Sequence, residues 1–196
     1  MSNDKQLWLL AGGNGAGKST FFEHFLKPAG LPFINADILA KQLVDENTEA
    51  VSYRAAKLAE KLRLSLLNSG ISFCFETVFS HPSKIDFMAT AKSLGYEIIL
   101  VYIHLQNDEL NQARVAQRVN EGGHNVPADK IISRIPRTMA YIKDALPLTD
   151  VARFYDNSSQ SQPFLSVAQL NEGQLTKQMD VLPGWAEDML SNYIDV

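Results

Sequence analysis

The stretch "AGGNGAGKST", residues 11–20, decides the fold. It follows the apolar run "QLWLLA" (6–11), which reads as a short buried strand, and it opens a helical segment predicted over 18–27 and ended near Pro28 and Gly30. Gly12, four residues, Gly17, Lys18 and Ser19 satisfy the phosphate-binding pattern G-x-x-x-x-G-K-[ST], with the strand before it and the helix after it that the pattern requires. Each residue type has a chemical reason. Glycines at 12, 13, 15 and 17 let successive N–H groups turn inward around an anion. The helix N-terminus adds partial positive charge. Lys18 is placed to reach the β- and γ-phosphates and Ser19 to ligate Mg²⁺. The expected nucleotide cradle is Gly12, Gly13, Asn14, Gly15, Ala16, Gly17, Lys18, Ser19 and Thr20, holding a nucleoside triphosphate.

Working outward, strand and helix signals alternate. "LPFIN" (31–35) is a second strand, "ADILAKQL" (36–43) begins a helical stretch, and a long helix runs over 49–70 to Gly70. "SFCFET" (72–77) is a third strand and 82–95 a helix ending in glycine. "YEIILVYIHL" (96–105) is the strongest strand signal. A helix over 107–123 has Asn107 as its cap, and another over 127–146 is bent or restarted near Pro136. "VARFYDN" (151–157) and "PFLSVAQL" (163–170) read as a closing pair of strands, before a short helix at "GWAEDMLSNYI". This order predicts an α/β, three-layer fold with a mostly parallel central sheet, in one domain over 1–196. In such sheets ligands bind beyond the carboxyl ends of the strands.

Composition narrows the function. At 196 residues and 45% hydrophobic the chain can bury a substantial core, and a net charge of −4 argues against a general nucleic-acid binder while leaving room for a local anion site. One cysteine, Cys74 in "ISFCF", excludes an intrachain disulfide and reads as a buried thiol suited to a reducing cytoplasm, the expected location. The N-terminus is not read as a signal peptide, and no run approaches the length of a membrane span.

A phosphate loop alone does not separate kinase, ATPase and switch GTPase. The base-reading N-K-x-D pattern is absent, and no apolar strand ends in the paired acids of a motor ATPase. Instead the strand ends offer single acids. Asp37 ends "INAD"; it is positioned to accept the proton of an attacking hydroxyl, to help hold Mg²⁺, or to cap the helix that follows. Glu76 and Thr77 close "FET"; Glu76 is placed to hydrogen-bond an acceptor or a metal-bound water, or else is a solvated strand terminus. Arg114 and Arg118 share one helix face, Arg134 and Arg137 another. Between the two helices, Gly122 and Gly123 form a hinge, so residues 107–140 read as an arginine-bearing lid that neutralises charge on a transferring phosphoryl group. His124 in the hinge reads as structural. His81 and Lys84 either line the acceptor pocket or form an ordinary polar turn, and Asn157 borders the adenine.

Taken together, "GGNGAGKST", "INADILA", "FCFETVFS", "RVAQRVNEGGHNVPADKIISRIPR" and "YDNS" resemble the zeta-toxin-like P-loop kinases, over residues 7 to about 159. That resemblance implies ATP and Mg²⁺ as cofactors and transfer of a phosphoryl group to a hydroxyl of a small molecule, in the toxins a UDP-N-acetyl amino sugar. It implies Asp37 as base or hydroxyl orienter, Lys18 and Ser19 on phosphate and Mg²⁺, Glu76 and Thr77 at the acceptor, and Arg118 and Arg134 as the lid arginines with Arg114 and Arg137 beside them. A toxin would also have a neutralising partner protein. The lid sequence "GGHNVP" departs from the characterised toxins and belongs with relatives of unknown substrate. Two rival readings stand beside this one: an ATP-hydrolysing binding module acting through a protein partner, and a polynucleotide 5′-hydroxyl kinase, which the acidic composition disfavours.

Overall fold

The computed structural model describes residues 5–43, 49–121 and 126–194. The expected hinge residues Gly122, Gly123 and His124 lie outside the described residues.

Strand β1 (Lys5–Ala11) is the centre of the molecule. It pairs in parallel with β3 (Phe73–Thr77) on one side and β4 (Tyr96–His104) on the other. Two further parallel strands, β2 (Phe33–Ile34) and β5 (Val151–Asp156), extend the sheet outward. Then β6 (Leu165–Asn171) and β7 (Gln174–Lys177) add antiparallel, giving the order β2-β3-β1-β4-β5-β6-β7. The mostly parallel sheet expected from the alternating signals is therefore present.

The sheet is covered on both faces, which is why its central strands are apolar almost throughout. Leu7 and Leu9 pack with Phe73, Phe75, Ile98 and Leu100 on one side. Leu10 packs with Cys74, Val101 and Ile103 on the other. The first face is closed by α3 (Glu49–Asn68), α4 (Ser83–Ser93), α6 (Ala128–Ala145) and α7 (Gly184–Leu190), through Ala59, Met88, Ile142 and Met189 among others. The second is closed by the segment after the phosphate loop and, through Leu110, by α5 (Asp108–Asn120). Each fully buried leucine or isoleucine here contributes about 1.5–3 kcal/mol. Cys74 is buried, and burial raises its thiol pKa further out of reach of ionisation, so the structural reading of this residue holds.

Three elements differ from expectation. The helix after the phosphate loop is a single α turn, α1 (Lys18–Phe21), followed by a wider π turn over Phe22–Leu26 and a 3₁₀ turn over Lys27–Ala29. The segment carries three phenylalanines, and other rings hold each of them: Phe22 stacks on Phe33 at 3.8 Å, and Phe21 and Phe25 both meet Phe164. Ring packing, not helix propensity, sets the turn there. Strand β7 was not expected. It follows a two-residue turn in which Glu172 and Gly173 have φ of 49° and 79°. Finally, α6 runs as one helix through Pro136. The helical stretch expected from residue 36 is α2 (Ala36–Leu43). Among the described residues no helix is long and apolar enough to cross a membrane.

Candidate functional site

Carboxyl ends of the parallel strands converge on a cleft of about 960 Å³ whose floor is the phosphate loop. The loop is shaped by close backbone approaches. A Cβ at Gly12 would stand 2.3 Å from the Ile103 carbonyl oxygen, and one at Gly17, where φ is +96°, would stand 2.5 Å from Asn157 Nδ2. Glycine is required at both positions.

Lys18 is buried, and its Nζ donates to the carbonyls of Gly12 and Gly13 at 3.0 and 2.9 Å. Glu76 Oε1 lies 3.6 Å away. Burial pushes the lysine pKa down; the Glu76 and Asp37 carboxylates oppose that shift. The other Glu76 oxygen, Oε2, accepts from Ser19 Oγ at 2.5 Å and from Asn35 Nδ2 at 2.6 Å. One carboxylate thus ties together the loop lysine, the loop serine and the end of β2. This is a hard-oxygen cluster beside the phosphate seat, and Ser19 Oγ with Glu76 Oε2 supplies the donor chemistry that Mg²⁺ takes.

Asn35 also settles how Asp37 is used. Its Oδ1 accepts from the backbone N–H groups of Asp37 and Ile38 at 2.8 and 3.2 Å, so Asn35 caps α2. The cap considered for Asp37 belongs to its neighbour, and the Asp37 carboxylate is left for the cleft. Its Oδ2 stands 3.6 Å from Arg118 on α5.

The arginines separate into two groups. Arg114, Arg118 and Arg134 line the same cleft as Lys18, Asp37 and Glu76. Arg114 donates to the Asn157 carbonyl at 2.8 Å, and Arg134 reaches Asn14 Oδ1 at 3.4 Å. Arg137 is turned back on its own helix, its Nε donating to the Ser133 carbonyl at 3.1 Å. The α5–α6 pair carries a small apolar cluster of its own, Val115, Val126 and Ile131 with Val119 against it, separate from the two sheet-face cores. Asn107 caps α5 as expected, accepting from Leu110 N at 2.9 Å.

Thr77 lines the cleft while its Oγ1 accepts from Phe79 N at 3.0 Å. Asn157 also lines it, but its side chain is engaged within the protein: Nδ2 donates to the Ala16 carbonyl at 2.9 Å and Oδ1 accepts from Phe164 N at 3.2 Å. It braces the phosphate loop from β5. His81 forms the polar turn considered for it, bonded to Ser83 Oγ at 2.9 Å, whereas Lys84 lines the cleft. Thr20 lies at the cleft edge.

Sequence reasoning missed two asparagines. Asn35 went unremarked because Asp37, two residues on, is an equally good cap by type. Asn111 is buried on α5, and its Nδ2 donates to the Asn14 carbonyl at 2.6 Å, pinning that helix to the loop. The available signal was an asparagine four residues before Val115, on the apolar face of an amphipathic helix.

A phosphate loop at the end of a central parallel strand, with helices on both sheet faces, defines a P-loop nucleotide-binding domain. The chain belongs to the AAA domain family, whose sequence profile matches residues 7–135. An uncharacterized protein of Haemophilus influenzae is 33% identical to it over 132 residues, covering 64% of this chain and 94% of that protein. Among solved structures, the AvrRxo1-ORF1:AvrRxo1-ORF2 complex superposes with a TM-score of 0.72 at 20% identity, over 89% of this chain. This chain spans 61% of the length of that one. The same complex solved with ATP gives a TM-score of 0.68 at 20% identity, over 90% of this chain and 61% of that one. The PezAT chromosomal toxin–antitoxin system of Streptococcus pneumoniae gives 0.67 at 17% identity, over 100% of this chain and 80% of that one. At these identities the likeness is one of fold, and at that level the resemblance to zeta-toxin-like P-loop kinases is borne out.

Proposed function

We propose that the protein is a kinase that transfers the γ-phosphoryl group of ATP to a hydroxyl of a small anionic metabolite, of the kind that a UDP-N-acetyl amino sugar represents. One observation carries this reading: Asp37, Glu76, Arg114, Arg118 and Arg134, drawn from four separate elements, line one cleft with Lys18. The structure solved with ATP among the fold relatives supports the choice of nucleotide.

In this reading the loop N–H groups and Lys18 hold the β- and γ-phosphates. Asp37 Oδ2 accepts the proton of the acceptor hydroxyl as its oxygen bonds to the γ-phosphorus. The bond from that phosphorus to the β–γ bridging oxygen breaks, and ADP leaves with the electron pair. Arg118 and Arg134 face the charge that spreads over the transferring group, and their planar forks suit phosphate oxygens. Arg118 Nη1 stands 3.6 Å from Asp37 Oδ2, so the base and one lid arginine meet at the same point of the cleft. Magnesium, held through Ser19 and Glu76, supplies neutralisation of the phosphate oxygens when bound. A regulatory protein partner belongs to the same reading, supported by the AvrRxo1 complex and the toxin–antitoxin system among the fold relatives.

The test is transfer of labelled γ-phosphate from ATP into a panel of UDP-sugars, nucleosides and sugar alcohols, followed by mass spectrometry of the product. Asp37→Ala is expected to lower transfer by about 10²–10⁴-fold. ATP affinity should stay within twofold, and the melting temperature should hold because Asn35 carries the cap. A folded Asp37→Ala protein with undiminished transfer removes the aspartate from the mechanism. Labelled inorganic phosphate as the only product, whatever hydroxyl is offered, points instead to the hydrolysing module.

A further inference from the structure

We infer that the part of the cleft lined by α3 and α4 is a second anion seat, built by Arg63, Lys84 and Lys57, which takes a phosphate or diphosphate group carried by the acceptor. The seat rests on the kinase reading only for the word acceptor; its geometry stands apart from the reaction.

These residues come from two elements. Lys57, Glu60 and Arg63 fall on one face of α3, three residues apart, and all line the cleft. Lys84 enters from the first turn of α4. The Arg63 guanidinium is fixed over two rings, 5.0 Å from the centroid of Phe75 and 6.0 Å from that of Phe87. A guanidinium held between two perpendicular rings is restrained in place before any ligand arrives. Lys57 Nζ sits 4.9 Å from the centre of the Tyr53 ring at the outer rim.

This arrangement is costly without a ligand. Among the described residues no carboxylate lies within ion-pair distance of Arg63 or Lys84. Burial lowers the pKa of both, and Arg63 lowers that of Lys84 further, with Glu60 opposing at longer range. Lys84 also sits in the first turn of an 11-residue helix, where the helix dipole disfavours a cation. Two half-buried cations set against each other, one of them at a helix N-terminus, are unfavourable for the protein alone. An anion between them offsets the mutual repulsion and is favoured by the same helix N-terminus. Three cations against the single carboxylate of Glu60 leave the charge that a phosphate dianion needs. The other cations of the cleft already have partners in the protein: Lys18 meets Glu76, Arg118 meets Asp37 and Arg134 meets Asn14.

The experiment uses the full chain saturated with Mg²⁺ and a non-hydrolysable ATP analogue, so that the phosphate loop is filled. Pyrophosphate is then titrated by calorimetry, with malonate as a parallel arm. Pyrophosphate is expected to bind at one site. Lys84→Gln should weaken it at least tenfold, Arg63→Gln at least as much, with affinity for the ATP analogue unchanged in both. Lys84→Gln serves if loss of the ring stacking unfolds Arg63→Gln. Malonate binding as tightly as pyrophosphate overturns the phosphate assignment. No pyrophosphate uptake by the nucleotide-filled protein, or equal uptake by wild type and Lys84→Gln, overturns the seat. A protein that binds pyrophosphate here yet phosphorylates no hydroxyl keeps the seat and loses the kinase reading. One that phosphorylates neutral alcohols and binds no pyrophosphate does the reverse.

Discussion

Asn35 stands between a helix end and an acid. Its Oδ1 caps α2 through Asp37 N and Ile38 N, while its Nδ2 donates to Glu76 Oε2 at 2.6 Å. The two roles can be told apart by substitution. Asparagine and aspartate are equivalent caps, so a pure capping role makes Asn35→Asp silent. The second role makes it costly, because a new carboxylate would face Glu76 where a donor stood. Asn35→Ala is expected to destabilise by about 2 kcal/mol, from a lost cap of about 1 kcal/mol and a lost hydrogen bond to a charged group of similar size. Asn35→Asp is expected to be destabilising too, and urea unfolding of both variants checks this. At this scale the sequence was legible wherever a residue type has one use. Lys18, Ser19, Asp37 and Glu76 follow from the loop pattern and from looking just past each strand, and all line one cleft. Asn35 and Asn111 were not legible, since their partners are a side chain 41 residues away and a carbonyl 97 residues away. Spacing alone does not separate Arg134 from Arg137, three apart on one helix; the resemblance put Arg134 first, and of the two only Arg134 lines the cleft.

The phosphate loop is one element with three neighbours pressed against it: β4, α5 and Asn157 just past β5. That contact, more than the backbone angle, separates its glycines from the others. Gly12 and Gly95 both have positive φ, 147° and 79°. A Cβ at Gly95 would meet nothing within 4 Å, whereas one at Gly12 would meet the Ile103 carbonyl at 2.3 Å. Gly95→Ala therefore costs only the conformational term, about 1 kcal/mol. Gly12→Ala must also displace the backbone of a central strand, and a loss of about 3 kcal/mol or more is expected, together with nucleotide binding. Chemical denaturation of the two variants side by side, with ATP-analogue titration of each, measures the difference. A Gly12→Ala protein as stable as Gly95→Ala would mean that the loop is not clamped. Elements were legible in proportion to the strength of their local pattern. The uninterrupted apolar run of β4 was read almost to the residue. The polar, four-residue β7 has no such pattern and exists because β6 offers it an edge. The π turn over Phe22–Leu26 depends on rings from Phe33 and Phe164, which no local window contains.

Across the whole molecule, alternating strand and helix signals were enough for a parallel sheet covered on both faces, because a crossover helix is the economical way to join parallel neighbours. Strand order was not legible: β3 lies between β2 and β1, a matter of which faces fit. The same burial stores a pH dependence in the sheet. His104, the last residue of β4, is buried against Trp185, their rings stacked at 4.4 Å, and its Nδ1 meets Tyr102 Oη at 3.2 Å. Burial lowers its pKa from 6.5 to about 4, with the Asp156 carboxylate on the adjoining strand opposing. Between those two values the unfolded chain binds a proton that the folded chain refuses. Stability therefore rises with pH through this window and is lost as pH falls from 6.5 toward 4. At about 1.4 kcal/mol per pH unit the loss reaches about 3 kcal/mol at the acid end. Carboxylates contribute their own slope there, so the comparison is with His104→Phe. That variant keeps a ring against Trp185 and drops the titrating group; losing the Tyr102 contact gives an offset that does not vary with pH. Unfolding free energies from pH 8 to pH 4 should run parallel above pH 7 and converge below pH 6.5, the wild type falling faster. Curves that stay parallel throughout would mean that water reaches the imidazole and the covering of this sheet face is looser than its packing implies.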